Sequence, residues 1–329
     1  MMLHRRNLLA LGAALSAPAL LPAGARAQGD YPNQPIRMVV PFSAGGPTDI
    51  PARLVADELS KMLPQRVIVE NRTGAGTVVG ADAVAKAPKD GHTLLYTTIS
   101  QATIRAIYPN LPFDPVKDFQ PVALTGTIPM LLMVNKQVPA NNLQELIALF
   151  KKEPGQYDYA STGSGAALHL ASELFLKQAG GLKVNHIPYR GSAAAMPDLL
   201  NGTVAMMLDV ANSAMPFVQS GEVKGLAISS AQRLPQLPNI PTFQEAGVPG
   251  YEAYTWHMVL APAGTPQPII AKLNEAINKV MAMDSVRSKL SDLTMSTRSD
   301  TTPDSTKKWL TDEMAKWEPI IKEAGIKLD

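Results

Sequence analysis

Cysteine is absent from the 329-residue sequence. Disulfides, thiolate nucleophiles, cysteine-ligated metals and a lipid anchor on an N-terminal cysteine are thereby excluded. Neither sign of charge is in excess: 30 Lys and Arg stand against 28 Asp and Glu, and charged residues make up only 18% of the chain. No charge run points to nucleic acid. After the first 27 residues, no stretch reaches the about 18 consecutive apolar residues of a membrane span. Catalytic signatures are missing too. Ser164 has Thr162 and Ala166 where a nucleophile elbow has glycines. There is no Walker A sequence. The run Gly74-Ala75-Gly76-Thr77-Val78-Val79-Gly80 has three residues rather than two before its last glycine, and reads as a tight turn rather than a dinucleotide site. The five histidines (His4, His92, His169, His186 and His257) form no His-Glu-x-x-His and no i,i+4 pair. No metal and no cofactor is expected.

What is present begins with a leader. Arg5 and Arg6 precede the apolar run of residues 8–21, and Ala25-Arg26-Ala27 is a small-x-small cleavage site. Residues 1–27 therefore read as an export signal, and the arginine pair permits the twin-arginine route beside the general one. Removing Arg5, Arg6 and Arg26 leaves 27 basic against 28 acidic residues, a mature charge of −1. The expected product is periplasmic, soluble after cleavage and without a lipid anchor. Apolar residues are 46% of the chain, so a globular fold follows, and its length favours two lobes. Fifteen Met against seven Phe suggest adaptable packing.

A unit of strand, bare loop and helix recurs. Residues 36–40 form an apolar strand ended by Pro41. A loop of small residues follows, and Thr48 or Asp49 then caps a helix with Ile50, Leu54, Val55, Leu59 and Met62 at helical spacing. Further units start at residues 66, 93, 157 and 184, and a strand ends at Asp209. Such a series implies parallel strands with their loops at one edge, where α/β sheets bind ligands. A helix N-terminus presents free N–H groups and partial positive charge, and Gly45 and Gly46 let a ligand approach the backbone. The candidate ligand-binding residues are Phe42, Ser43, Gly46, Thr48, Asp49, Thr98, Ser100, Ser161, Gly163, Ser164, His169, Arg190 and Asp209. Asp49 is either a cap pointing away or the partner of a donor on the ligand. Arg190 could grip a carboxylate bidentately or lie in solvent. Extended runs at 121–125 and 130–135, separated by Gly126-Thr127-Ile128-Pro129, mark a crossing between lobes, and residues 255–260 mark the return. Trp256, tyrosines and methionines near that return could line an apolar cleft. The expected lobes are 28–128 plus 256–329, and 129–255.

Six stretches resemble the solute-binding proteins of tripartite tricarboxylate transporters, also called Bug proteins. They are Pro41-Phe42-Ser43-Ala44-Gly45-Gly46-Pro47-Thr48-Asp49, Glu70-Asn71-Arg72-Thr73-Gly74-Ala75-Gly76, Lys89-Asp90-Gly91-His92-Thr93-Leu94-Leu95, Tyr189-Arg190-Gly191-Ser192, Asp198-Leu199-Leu200-Asn201-Gly202 and Pro241-Thr242-Phe243-Gln244-Glu245-Ala246-Gly247-Val248-Pro249-Gly250. The order is the family's and the likeness spans the mature chain. It implies a type II periplasmic-binding-protein fold of the α/β class, in which two lobes, each with a central mostly parallel sheet flanked by helices, close on a small carboxylated solute. It further implies that backbone groups and waters grip one carboxylate, here at residues 43–49 and 161–165. Thr73 and Thr77 depart from the family's usual Pro and Gly, Arg190 from Lys, and His92 from Tyr. The implied partners are a dicarboxylate, aromatic carboxylate or acidic amino acid and the permease subunits of a membrane transporter. Two alternatives stand beside this binding protein: an exported enzyme with Asp49 and His169 as acid and base, and a sensory module presenting its ligand to a receptor.

Overall fold

The computed structural model describes residues 31–108 and 110–327. The leader expected at 1–27 lies outside them. Among the described residues no helix is long and apolar enough to cross a membrane.

In the first part of the chain β1 (Ile36–Val40), β2 (Val67–Asn71) and β3 (Thr93–Thr97) pair in parallel, with β1 in the middle. Helices α1 (Asp49–Met62), α2 (Val78–Ala85) and α3 (Ser100–Ile107) follow them in turn. The chain then enters β4 (Phe119–Val134), a single strand of 16 residues. The expected break at residues 126–129 is not there. Gly126 serves a close approach instead: a Cβ on it would sit 2.5 Å from the Ser296 carbonyl oxygen of the short strand β10 (Ser296–Thr297), and the pairing shifts register beside it. The first stretch of β4, to Pro129, pairs with β9 (Tyr254–Pro262), and from Met130 onward β4 pairs with β7 (Met206–Val210) and β8 (Lys224–Ile228). One strand thus belongs to two sheets.

The second sheet adds β5 (Asp158–Ser161) and β6 (Asn185–Pro188), parallel to each other, with β5 also parallel to β7. Its helices are α4 (Leu143–Lys152), α5 (Ala167–Gln178), α6 (Ser192–Asn201) and α7 (Ala211–Gln219). Both sheets are more mixed than "mostly parallel", because β4 and β9 run antiparallel to the strands they join. After β9 come α8 (Gln267–Ala282), α9 (Asp284–Asp292) and α10 (Pro303–Glu323), and α10 packs on α3, β4 and α5.

The inner strand β3 is buried along its whole length because both faces are covered, and β1 is so apart from Arg37, whereas the edge strand β2 is half-exposed and ends in Glu70 and Asn71. Met38, Val40, Leu94 and Tyr96 point into one core with α1 and α8, whereas Val39 and Leu95 point into a second core that continues into the other sheet. On α1 the buried stripe is Pro51, Ala52, Val55, Ala56 and Leu59, offset from the expected one. The small alanines bring the helix onto the sheet, and Ile50, 46% exposed, faces away from this core. Trp256 is another correction. It is fully buried, and its indole N–H donates to Glu313 at 2.8 Å, as does that of Trp317 at 2.9 Å, so it anchors α10 instead of lining a cleft.

Candidate functional site

A cavity of about 980 Å³ lies between the two sheets, walled by the loops at the C-terminal ends of β1, β2, β3, β5, β6 and β7. Its composition follows from how the chain leaves each strand. A helix begins directly after every one of these loops, and its N-cap residue lines the cavity: Thr48 for α1, Thr77 for α2, Ile99 for α3, Ala166 for α5, Gly191 for α6 and Val210 for α7. None of these six caps makes a side-chain hydrogen bond to its helix. The two helices whose N-caps do so, α4 through Asn142 and α10 through Thr302, start away from the cavity. The N-termini of α8 and α9 are also away from it and also lack such a cap. Six helix ends, each with first-turn amides and partial positive charge, therefore converge on one space. No Lys or Arg side chain is among the lining residues, and Asp209 is the only acidic one.

Of the residues expected at a site, Phe42, Ser43, Gly46, Thr48, Thr98, Ser100, Gly163, Ser164 and Asp209 line the cavity. Asp49, Ser161, His169 and Arg190 do not. Asp49 lies behind the first loop. Its Oδ2 accepts the Gly45 amide and Arg53 Nε, both at 2.8 Å, and its Oδ1 accepts Asn71 Nδ2 at 2.8 Å. Burial pushes this carboxyl up, but the bonds from Arg53, Gly45 and Asn71 outweigh burial and hold it below the ordinary carboxylate range. Asn71 also donates to the Phe42 carbonyl at 2.9 Å, so the end of β2 fixes the loop after β1. Gly45 adopts φ +76° there, which favours glycine.

His169 and Ser161 brace the opposite loop in the same way. His169 Nδ1 accepts the Gly165 amide at 2.9 Å, and Ser161 Oγ lies 3.2 Å from the Gly163 amide and 2.6 Å from His186 Nε2. The two imidazoles stack at 3.8 Å. Burial, then the neighbouring His186, pushes His169 down to about 3, so it is neutral at pH 7. Asp49 and His169 each belong to a separate bracing network, and neither reaches the space an acid–base pair would need. Arg190 is exposed.

Asp209 differs from Asp49. It is the next-to-last residue of β7, which runs one residue past the expected strand end, and it has no solvent exposure. Its Oδ1 accepts the Ser192 hydroxyl and the Val210 amide, both at 2.8 Å. Its Oδ2 has no partner among the described residues. Burial pushes the carboxyl up to about 6. Sequence reasoning missed the apolar part of the wall, which includes Ile50, Ile104, Ile107, Tyr108 and Leu168, and also Ser192, Asn212 and His257. Ile50, Ile104 and Leu168 sit at ordinary helical spacing, which does not distinguish a core face from a cleft face. The chemistry available is that of a largely apolar recess with amides, hydroxyls and one carboxylate. Among the described residues no group of His, Asp and Glu is arranged to hold a metal.

Comparison with known proteins bears on what such a recess holds. Residues 51–326 match the family model described as the tripartite tricarboxylate transporter family receptor. The chain is 38% identical over 300 residues to BugT of Bordetella pertussis, covering 91% of each protein. The solved structure of R. palustris Rpa4515 with adipate aligns with TM-score 0.79 and 36% identity, over 91% of this chain and 100% of that one. MatC from Rhodopseudomonas palustris with bound malate aligns with TM-score 0.75 and 34% identity, over 88% of this chain and 100% of that one.

Proposed function

Because the chain belongs to the tripartite tricarboxylate transporter receptor family and has the fold of a periplasmic binding protein, we propose that it captures a small organic carboxylate in the periplasm and hands it to a membrane permease. The six uncapped helix N-termini around one cavity carry this reading. An anion entering the cavity meets preorganised amides from both sheets and needs no arginine. Each charge-assisted hydrogen bond contributes about 1.5–3 kcal/mol, so a few support micromolar binding after the entropic cost of association. Phe42, Ser43, Gly46, Thr48, Thr98, Ser100, Gly163 and Ser164 supply the contact surface, while Asp49, Ser161 and His169 hold their loops in shape. The lobes 28–128 plus 256–329 and 129–255 close over the solute, with β4 and β9 as the crossings. That Rpa4515 was solved with adipate and MatC with malate supports the carboxylate class, and the family's description as a transporter receptor supports delivery to a permease.

Titration calorimetry against dicarboxylates, aromatic carboxylates and acidic amino acids tests the proposal. Micromolar binding of at least one class is the expected outcome. No heat and no shift in melting temperature with any of them would contradict it.

A further inference from the structure

The wall contributed by β7 and α7 contains two buried acceptors with nothing to accept. Asp209 Oδ2 and Asn212 Oδ1 are both shielded from solvent and without a hydrogen-bond partner, and both residues line the cavity. They stand three positions apart, on either side of the start of α7. The other half of Asp209 is fixed: Ser192 and Val210 occupy Oδ1. The nearby Ser213 hydroxyl is close enough to draw the Asp209 carboxyl down slightly, but its hydrogen bond at 3.2 Å goes to the Val210 carbonyl, and no donor among the described residues is in hydrogen-bonding geometry with Oδ2. A buried carboxylate oxygen left unmatched is costly and persists where a ligand completes it. Asp49 has donors on both oxygens and carries no such signal.

We infer that the solute carries, besides the carboxylate held by the helix ends, a hydroxyl or ammonium donor that binds Asp209 Oδ2 with Asn212 beside it. The preferred ligands are then hydroxy- or amino-carboxylates, and Asp209 is the residue that selects them over their plain parents. The inference rests on the carboxylate reading above. It adds that the cavity distinguishes molecules of the same carbon skeleton by one N–H or O–H group. Burial holds the Asp209 proton affinity high, which fits a carboxyl waiting for a donor.

Two matched series test it by calorimetry on the exported protein at neutral pH: succinate, malate and aspartate, then 3-phenylpropionate, 3-phenyllactate and phenylalanine. In whichever series binds, a donor-bearing member should bind about tenfold or more tighter than its parent, the worth of one charge-assisted hydrogen bond. Malate against aspartate, and phenyllactate against phenylalanine, tells hydroxyl from ammonium. In Asp209→Asn the amide oxygen keeps the Ser192 and Val210 bonds and turns an N–H toward the ligand, so the preference should shrink to within about threefold or reverse. Asn212→Ala, which leaves the carboxylate in place, should lower the ratio partially and serves if Asp209→Asn does not fold. Equal affinity for parents and donor-bearing members, or a ratio unchanged by both substitutions, overturns the inference while leaving carboxylate binding intact. No heat from any of the six compounds removes the carboxylate reading and this inference with it.

Discussion

Asp49 and Asp209 occupy related places in the two walls of the cavity: each is buried where a helix starts beyond a strand. Their surroundings are opposite. Asp49 has donors on both oxygens, from Gly45, Arg53 and Asn71, and its acidity is enhanced. Asp209 has donors on one oxygen only, and burial raises it to about 6. The first wall uses its carboxylate to hold a loop of small residues in one shape. The second leaves half a carboxylate unmatched at the cavity. A fold gains stability from the first arrangement and loses it from the second, so the second persists for what it binds.

Removing Asp49 should have the largest effect on the folded state. Asp49→Ala leaves the Gly45 amide and Asn71 Nδ2 without an acceptor, and the expected loss is about 2–3 kcal/mol. Arg53 adds little, because its half-exposed guanidinium returns to water. Urea denaturation measures this, and a loss below about 0.5 kcal/mol would break the contrast between the walls.

Asp209→Asn should act in the other direction. The folded carboxyl titrates near 6 and an unfolded one near 3.8, so the native state binds more protons between these values. Stability from this group is therefore full below the unfolded value and is lost as pH rises through about 6. At pH 7 the asparagine variant should be more stable than the parent by about 1–3 kcal/mol, and the gain should fade toward pH 4. Denaturation of the two proteins at both pH values checks it. Asp49 carries the opposite sign: its pKa is held below the ordinary carboxylate range, so its contribution is present at neutral pH and is lost as pH falls.

A smaller effect sharpens the picture of the first wall. Thr77 lines the cavity at φ +93°, a conformation that suits glycine. Thr77→Gly relieves about 1–3 kcal/mol of strain, offset by about 0.4–1 kcal/mol of added unfolded-state entropy, so a net gain near 1 kcal/mol is expected in the same denaturation assay.

Much of this was legible in the sequence because it is local. A strand, a few small residues and a helix start are neighbours in the chain, and so the loops carrying Ser43, Thr98, Ser164 and Asp209 are assignable to one edge from the chain alone. What depends on distant partners was not legible. Asp49 turns inward because Asn71, on another strand, donates to it. His169 lies behind its loop because one helical turn returns its ring to the Gly165 amide. Gly126 and Pro129 read as a break, yet β9 and β10 pair with β4 across that stretch and keep it extended. Ile50 belongs to the cavity wall although its spacing is that of a core residue.

The central claim is that backbone amides and hydroxyls at helix ends, not a basic side chain, hold the anion. A crystal structure with a bound carboxylate, obtained with whichever acid calorimetry identifies, tests it directly. The expected result is a carboxylate within hydrogen-bonding distance, direct or through one water, of the loops at residues 42–49 and 162–166. A carboxylate paired instead with a lysine or arginine, or seated away from these two loops, would contradict it.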